Sequence, residues 1–294
     1  SVHYEGGVLE VEGPIGQLLA SRIGAAAATD KRLREVYLYD IERPAAILEP
    51  ASHAPLTIAR AEDSDLSGLS AWHSNSLRKL YLGGATALTA DIMRMFSVCP
   101  LDYVDLAHSD VDDDGLVELA RCAQSLQDLS IGRTSCTFKP FDAFGENPKL
   151  KKLTAYNCAI ADDDLPRLSR FRSLQYLNLD ENDSITDAGL AKLTVPTLST
   201  LSLRGTDATD YWDCVSRHCN LASVNLSDTK ASTEGIGSIR CMQIQSLSLY
   251  RTEVDDGAID TFLMLPLRRL HVEESSISDQ GMRILKSSLG KVIF

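Results

Sequence analysis

The stretch LQYLNLDENDSITDAGLAKL, from Leu174 to Leu193, carries leucine at its first, fourth and sixth positions and Asn182 at its ninth. The spacing L-x-x-L-x-L-x-x-(N/T/S/C) recurs along the chain. Copies begin at Leu33, Leu77, Leu101, Leu126, Leu150, Leu174, Leu198, Leu221, Ile244 and Leu267, with a degenerate copy at His53 and a truncated one at Leu289. Because the spacings from Leu77 onward stay between 22 and 25 residues, the stretch is one copy of a repeated unit.

Each part of the unit has a physical role. The first, fourth and sixth residues are predicted to point inward from a short parallel strand, and the ninth to turn the chain and hydrogen-bond neighbouring backbone. Acidic residues in the second half, such as Asp187, Asp256 and Asp279, are predicted to cap the helix that follows. One unit cannot bury its apolar face alone, so the units must stack.

The repeats resemble the leucine-rich repeat family over nearly the whole chain. The second halves, such as SITDAGL (184–190), DVDDDGL (110–116) and SISDQGM (276–282), resemble its cysteine-containing subtype, which is known from F-box leucine-rich proteins. Cys99 and Cys219 precede the next repeat as in that subtype. The resemblance implies an α/β leucine-rich-repeat solenoid, a horseshoe with parallel strands on the concave face and helices or short turns on the convex face.

The domain organisation follows from the spacing. Residues 1–294 are predicted to form a single leucine-rich-repeat domain of about 12 repeats. Residues 1–32 form an atypical first repeat, with GVLEVEG as a strand and PIGQLLASRIGAAAATDKR as a helix. Residues 41–55 are expected to be an irregular connection, and 289–294 the start of an incomplete last repeat. The open C-terminal end would allow self-association.

The composition excludes some classes of function and indicates the compartment. The net charge of −12 and the pI of about 4.9 argue against binding to nucleic acid by bulk charge and to anionic membranes. No apolar run reaches the roughly 20 residues that a membrane helix needs. The 7 cysteines are odd in number and lack C-x-x-C spacing. Reduced thiols in a cytoplasmic or nuclear protein are therefore expected.

No catalytic or cofactor motif is recognised. The D-x-D-x-D-G pattern from Asp110 to Gly115 has Arg121 where a calcium loop requires Glu, so helix capping explains it better. The histidines are scattered, with only His108 and His271 predicted on the concave strand face, and no Ser/His/Asp arrangement can be assembled. We expect no metal, no cofactor and no enzymatic activity.

The third, fifth and seventh strand positions are predicted to face away from the core. They hold seven of the 9 tyrosines, and tyrosine is common at protein-binding hot spots. Strand propensity is the competing explanation, but these positions hold no Phe or Trp. The degenerate copy places Pro55, Thr57 and Ala59 on this face. The predicted partner-binding residues are Tyr37, Tyr39, Tyr81, Tyr103, Asp105, Asp128, Lys152, Tyr156, Tyr176, Asn178, Asp180, Arg204 and Tyr250.

These features predict a non-catalytic protein–protein interaction module that binds a protein partner on its concave face. The F-box resemblance implies an alternative, the substrate-recognition part of a ubiquitin-ligase adaptor, although residues 1–50 contain no recognisable F-box. Two further alternatives are a structural subunit of a large assembly and a regulator that covers an enzyme's active site.

Overall fold

The computed structural model describes residues 1–13, 20–39, 41, 44–145, 148–210, 220–239, 243–289 and 293. The chain divides into two compact units, Ser1–Leu150 and Lys151–Phe294. The single domain over 1–294 stays a prediction, and each unit is described by itself.

The first unit consists of strands that follow one another in chain order. Strands β1 and β2 pair antiparallel, and each neighbouring pair from β2 to β7 is parallel. The elements are β1 (Val2–Glu5), β2 (Val8–Glu12), α1 (Ala20–Thr29), β3 (Glu35–Tyr39), α2 (Ala45–Ala51), β4 (Ile58–Ala61), β5 (Lys79–Tyr81), α3 (Ala90–Ser97), β6 (Tyr103–Asp105), α4 (Asp113–Glu118), β7 (Asp128–Ser130) and the 3-10 helices Leu119–Cys122 and Lys139–Phe144.

The second unit repeats the same arrangement. Its strands β8 to β13 pair in parallel with their sequence neighbours. Its elements are β8 (Lys152–Thr154), β9 (Tyr176–Asn178), α5 (Asp187–Leu190), β10 (Thr200–Ser202), β11 (Ser223–Asn225), α6 (Thr233–Gly237), β12 (Ser246–Ser248), α7 (Ile259–Met264), β13 (Arg269–His271), α8 (Asp279–Ser288) and the 3-10 helices Leu165–Arg170 and Asp256–Ala258. The predicted α/β solenoid class is confirmed.

The repeat pattern is explained by burial. Leu174, Leu177 and Leu179, the first, fourth and sixth residues of one repeat, are all fully buried. At the ninth position the hydroxyls of Thr206 and Thr252 donate to the carbonyl of the sixth residue of the same repeat, each at 2.8 Å. In these repeats the ninth side chain therefore closes the turn that ends the strand, as predicted.

The eighth residue of every repeat, from the repeat that contains β4 to the one that contains β13, has a left-handed backbone conformation with positive φ. Only two of these residues are glycine, although other residues adopt this conformation at a cost of about 1 kcal/mol. The hydrogen-bonded turn offsets that cost and ends the strands at matching positions. The residues are Asp63, Gly84, His108, Arg133, Asn157, Glu181, Gly205, Asp228, Arg251 and Glu274. His108 thus lies in a turn and not on a strand as predicted.

The position of Asp63 corrects the register of the degenerate repeat. Its first residue is Leu56 and not His53, because Leu56 is fully buried and Ile58 and Arg60 of β4 pair with Lys79 and Tyr81 of β5. The side chains on the face opposite the core are therefore those of Ile58, Arg60 and Glu62. The predicted Pro55 and Thr57 precede the strand, and the predicted Ala59 is 2% exposed.

Two other features of the first unit differ from the prediction. The segment 41–55 was expected to be irregular, but α2 occupies Ala45–Ala51. This helix packs on α1, and it restores a spacing of 23 residues between Leu33 and Leu56. The strand β1 was not predicted at all, because it pairs antiparallel with β2 and lies outside the repeat.

The helix caps also differ from the prediction. The residues that cap α5 and α8 are Thr186 and Ser278, whose side chains accept hydrogen bonds from N–H groups of the first turn. Asp187 and Asp279 are the first helical residues instead. Asp256 begins a 3-10 helix and accepts from the Ser278 N–H at 2.8 Å and from its hydroxyl at 2.5 Å. Its carboxylate therefore bridges two repeats, a role that the single-repeat pattern does not reveal.

Candidate functional site

The third, fifth and seventh residues of each repeat, counted from its first leucine, define the strand face. This face is the side of the sheet opposite the buried leucines. Neighbouring strands are about 4.8 Å apart, so side chains at equal positions in adjacent repeats come into contact. The predicted tyrosines of the first unit lie on β3, β5 and β6, and those of the second on or just after β8, β9 and β12.

Four residues of the first unit form what we call the tyrosine–arginine stack: Tyr37, Arg60, Tyr81 and Tyr103. The Arg60 guanidinium carbon lies 4.2 Å from the ring centroid of Tyr81 and 5.6 Å from that of Tyr37. The rings of Tyr81 and Tyr103 have centroids 4.7 Å apart and planes inclined by 35°. Cation–π contacts and aromatic pairs of this kind each contribute about 1 kcal/mol.

The register of the strands produces the stack. Tyr37, Arg60 and Tyr81 are the fifth residues of consecutive repeats and are paired across β3, β4 and β5. Arg60 was missed because Ala59 and Ala61 replace the leucines that mark a repeat. Counting 23 residues from Leu33 to Leu56 would have found it.

Carboxylates adjoin the stack. The Tyr37 hydroxyl donates to Glu35 at 2.7 Å, and Glu62 lies 3.8 Å from the Arg60 guanidinium. Burial, followed by the Glu35 hydrogen bond, raises the pKa of Tyr37 to about 12. The buried Nε of Arg60 has no hydrogen-bond partner in the described part of the chain, so ring faces and charge hold this guanidinium.

The far end of the stack is acidic as well. Burial, followed by the charges of Asp105 and Asp128, raises the pKa of Tyr103 to about 12. Tyr39 lies at the seventh position of β3 and is 36% exposed, so its ring is open to solvent. The structure thus brings Tyr37, Tyr81 and Tyr103 together, with the two predicted aspartates beside Tyr103.

We predict that Tyr37 and Tyr103 ionise late in an alkaline titration, at a pH of about 12 instead of 10. Since the folded pKa is raised, the stability from these neutral phenols is complete below pH 10 and is lost as pH rises towards 12. Ultraviolet absorbance of the phenolate measures the titration, and Tyr103→Phe should remove one late-ionising group. A wild-type titration that is complete near pH 10 without unfolding would contradict the described burial.

In the second unit the strand face begins with a cation on an aromatic ring. The Lys152 ammonium lies 5.3 Å from the ring centroid of Tyr176 on the adjacent strand. Tyr156 lies at the seventh position of the first repeat of this unit and is half-buried. These three predicted residues therefore occupy two neighbouring repeats of the strand face.

The predicted Asn178 and Asp180 are engaged with their own chain. The Asp180 carboxylate accepts from the Asn178 amide at 3.0 Å, from the Ser202 hydroxyl at 2.5 Å and from the Arg204 N–H at 2.8 Å. The Asn225 amide donates to the Ser202 oxygen at 3.0 Å. This polar ladder joins three repeats, so these carboxylate and amide groups stabilise the fold before any partner is considered.

Arg204 and Tyr250 belong to a charged rim at the ends of the strands. Arg204 pairs with Asp228 at 2.7 Å, and Arg251 pairs with Glu274 at 2.7 Å. The Tyr250 hydroxyl donates to Glu274 at 2.9 Å. These exposed pairs contribute little to stability individually, but they hold the Tyr250 ring in place on the rim.

The two strand faces differ in charge. At the third, fifth and seventh positions of β8 to β13, Lys152, Arg204 and Arg269 are opposed by Asp180 and Glu273. At those positions of β2 to β7, only Arg60 and Lys79 are basic. The carboxylates of that first-unit face are Glu10, Glu12, Glu35, Glu62, Asp105 and Asp128.

Comparison with known proteins places the fold in a class. The sequence profile described as Leucine Rich repeat matches residues 99–120 and 172–193. No curated protein sequence matches the chain significantly. The repeats, their strand register and this match define a leucine-rich repeat protein, as predicted, whereas its cysteine-containing subtype stays a prediction.

The chain is similar to several solved structures, three of which are of low sequence identity. A chain of the yeast Rad7 and Elc1 complex is 17% identical, with a TM-score of 0.53 and coverage of 89% of this chain and 75% of that one. A chain of the mouse RP105/MD-1 complex is 18% identical, with a TM-score of 0.64 and coverage of 87% and 45%. The Leptospira interrogans LRR protein LIC12759 is 17% identical, with a TM-score of 0.48 and coverage of 89% and 83%. This chain thus spans less than half of the mouse chain.

The part of the chain that the structure describes shows neither a metal site nor a membrane-spanning helix. It contains no group of three or more His, Cys, Asp or Glu side chains arranged for a metal ion. Asp112, from the calcium-like motif, caps α4 by accepting from the Gly115 N–H at 2.9 Å. No helix among the described residues is long and apolar enough to cross a membrane.

Proposed function

We propose that this protein is a non-catalytic interaction module that binds a protein partner through its strand face. The tyrosine–arginine stack carries the proposal, because it presents three large aromatic rings and one guanidinium on four consecutive strands, away from the core. Rings held by their neighbours lose little side-chain freedom on binding, which lowers the cost of association. Tyrosine and arginine are also the residue types enriched at the centres of interfaces.

The comparisons support this function at the level of the class. Leucine-rich repeat proteins are generally non-catalytic interaction modules, and the fold resembles chains from the Rad7 and Elc1 complex and the RP105/MD-1 complex. The acidic charge of the chain favours a protein partner over nucleic acid or an anionic membrane.

A double replacement of the stack tests the proposal. Tyr81→Ala with Tyr103→Ala is expected to weaken partner binding about thirtyfold, because two central rings are lost. The free energy of unfolding should fall by no more than about 2 kcal/mol, since both rings lie outside the leucine core. Proteins captured from native lysate are identified by mass spectrometry, and the affinity of each is then measured with purified components.

A matched control separates the face from general damage. Val98 and Val117 are 61% and 40% exposed on the helix side of the same unit, so Val98→Ala with Val117→Ala should leave capture unchanged. Tyr81→Phe with Tyr103→Phe should retain most binding because the rings remain. Equal capture by wild type and by the alanine pair would move the binding site away from the stack.

A second candidate function is substrate recognition within a ubiquitin-ligase adaptor. It is favoured by the similarity of the ITDAGL-type segments (185–190) to F-box-associated repeats. A defined adaptor-binding region elsewhere in the parent protein, and loss of substrate ubiquitination in the Tyr81→Ala/Tyr103→Ala pair, would support it. A permanent subunit of a large assembly is the remaining alternative, and co-purification in a stable complex of fixed stoichiometry would identify it.

We place the protein in the cytoplasm or nucleus. Cys99, Cys122 and Cys136 are buried, and Cys158 is half-buried; the other three cysteines lie outside the described residues. Burial raises the pKa of Cys122 to about 12, which keeps it unreactive as a thiol. Quantitative thiol labelling after unfolding supports this location, and disulfides among these cysteines would contradict it. Self-association through the C-terminal end stays a prediction, because residues 290–292 and 294 lie outside the described part of the chain. Ile293 is described, is 60% exposed and pairs with Arg269 of β13.

A further inference from the structure

Resting on the proposed function, we propose that the partner presents a basic segment, with arginine or lysine side chains, to the strand face of the first unit. The segment's cations would lie against the half-buried rings of the tyrosine–arginine stack and pair with the carboxylates beside them. The site is thus specified by ring faces and charge together.

Arg60 shows that this surface already holds one guanidinium of its own chain. Its guanidinium carbon lies 4.2 Å from the Tyr81 ring centroid, with the Glu62 carboxylate 3.8 Å away. A ring face on one side and a carboxylate at the edge is the arrangement that recognises a cationic side chain in general. The same pair of groups recurs at the end of the stack, where Asp105 and Asp128 act on Tyr103.

The charge of the face selects the kind of partner. At these positions of the strand face, six carboxylates outnumber the two basic side chains, Arg60 and Lys79. Glu10 and Glu12 extend the negative surface, because they pair in register with Tyr37 and Tyr39. An acidic or phosphorylated segment would be repelled there, whereas a basic segment would be attracted and accelerated in its approach.

The strand face of the second unit provides a contrast within the same chain. Its basic and acidic side chains nearly balance, and its Asp180 is held by the polar ladder. Selection of a basic segment is therefore assigned to the first unit alone.

A library of random peptides displayed on phage tests this inference without a known partner. Peptides are selected on the wild-type chain and counter-selected on the Tyr81→Ala/Tyr103→Ala variant. The recovered peptides are expected to be enriched in arginine and lysine at least about threefold over the starting library. Peptides that depend on the tyrosines but show no such enrichment would overturn the inference and leave the proposed function standing. Recovery of no tyrosine-dependent peptide would contradict both.

Charge variants then locate the carboxylates. One recovered peptide is labelled with a fluorophore, and its affinity for the chain is measured in low salt. The pair Asp105→Asn with Asp128→Asn is expected to lower this affinity about tenfold. The control Asp91→Asn with Asp114→Asn makes the same change of net charge on the helix side, where both residues are exposed, and should alter affinity less than twofold. Circular dichroism verifies folding. If both double variants lost peptide affinity equally, the attraction would come from bulk charge only, and the inference would be overturned.

Discussion

Replacing Asn182 with alanine is expected to lower the free energy of unfolding by about 4 kcal/mol. Asn182 is 1% exposed, and its amide donates to the carbonyls of Ala155, Leu179 and Asp180 at 2.9, 2.8 and 3.2 Å. Its oxygen accepts from the Cys158 N–H at 3.0 Å. Alanine would remove this partner from the Ala155 and Leu179 carbonyls and from the Cys158 N–H, and each such loss costs about 1 kcal/mol or more. The Asp180 carbonyl would still accept from the Asn157 N–H.

Urea denaturation followed by circular dichroism measures the effect. The control is Thr206→Val, which removes a single hydroxyl bond to the Leu203 carbonyl at a similarly buried ninth position. It should cost only about 1 kcal/mol. If Asn182→Ala cost no more than Thr206→Val, the bridge from Asn182 to the preceding repeat would not stabilise the unit as described.

Gly24→Ala is expected to destabilise the chain by about 3 kcal/mol. Gly24 is a buried residue of α1 at its contact with α2. A methyl group there would collide with the backbone oxygen of Ala46 and lie 3.1 Å from Cγ of Pro50. Because a backbone oxygen cannot turn aside as a side chain can, the two helices would have to separate. The decrease in the urea concentration at the midpoint of unfolding measures this destabilisation.

The control exploits a second helical glycine. A methyl group at Gly237 in α6 would meet nothing within 4 Å, so Gly237→Ala should stabilise the chain by about 0.5–1 kcal/mol through helix propensity. The two substitutions are chemically identical, and only the surroundings differ. A gain in stability from Gly24→Ala would show that α1 and α2 do not pack as described.

Much of the candidate site could be predicted from the period alone. The fifth-position tyrosines Tyr37 and Tyr81 were assigned to the strand face because a repeat spaced by whole units brings equal positions together on adjacent strands. Arg60 was not, because alanines at the core positions hide its repeat. Asn178 and Asp180 were predicted as partner-binding residues, but their side chains are joined in the polar ladder. A pattern shows which face a side chain occupies and not which neighbour it bonds.

The sequence by itself determined the class of protein and the face on which to look, because burial of leucines at a fixed period dictates stacked parallel strands. Tertiary structure decided the rest. The fully buried Leu56 sets the register of the degenerate repeat, and that register inserts Arg60 between Tyr37 and Tyr81. Carboxylates predicted as caps, such as Asp256, instead bridge to the next repeat. These outcomes depend on distances between repeats, which one repeat's sequence does not encode.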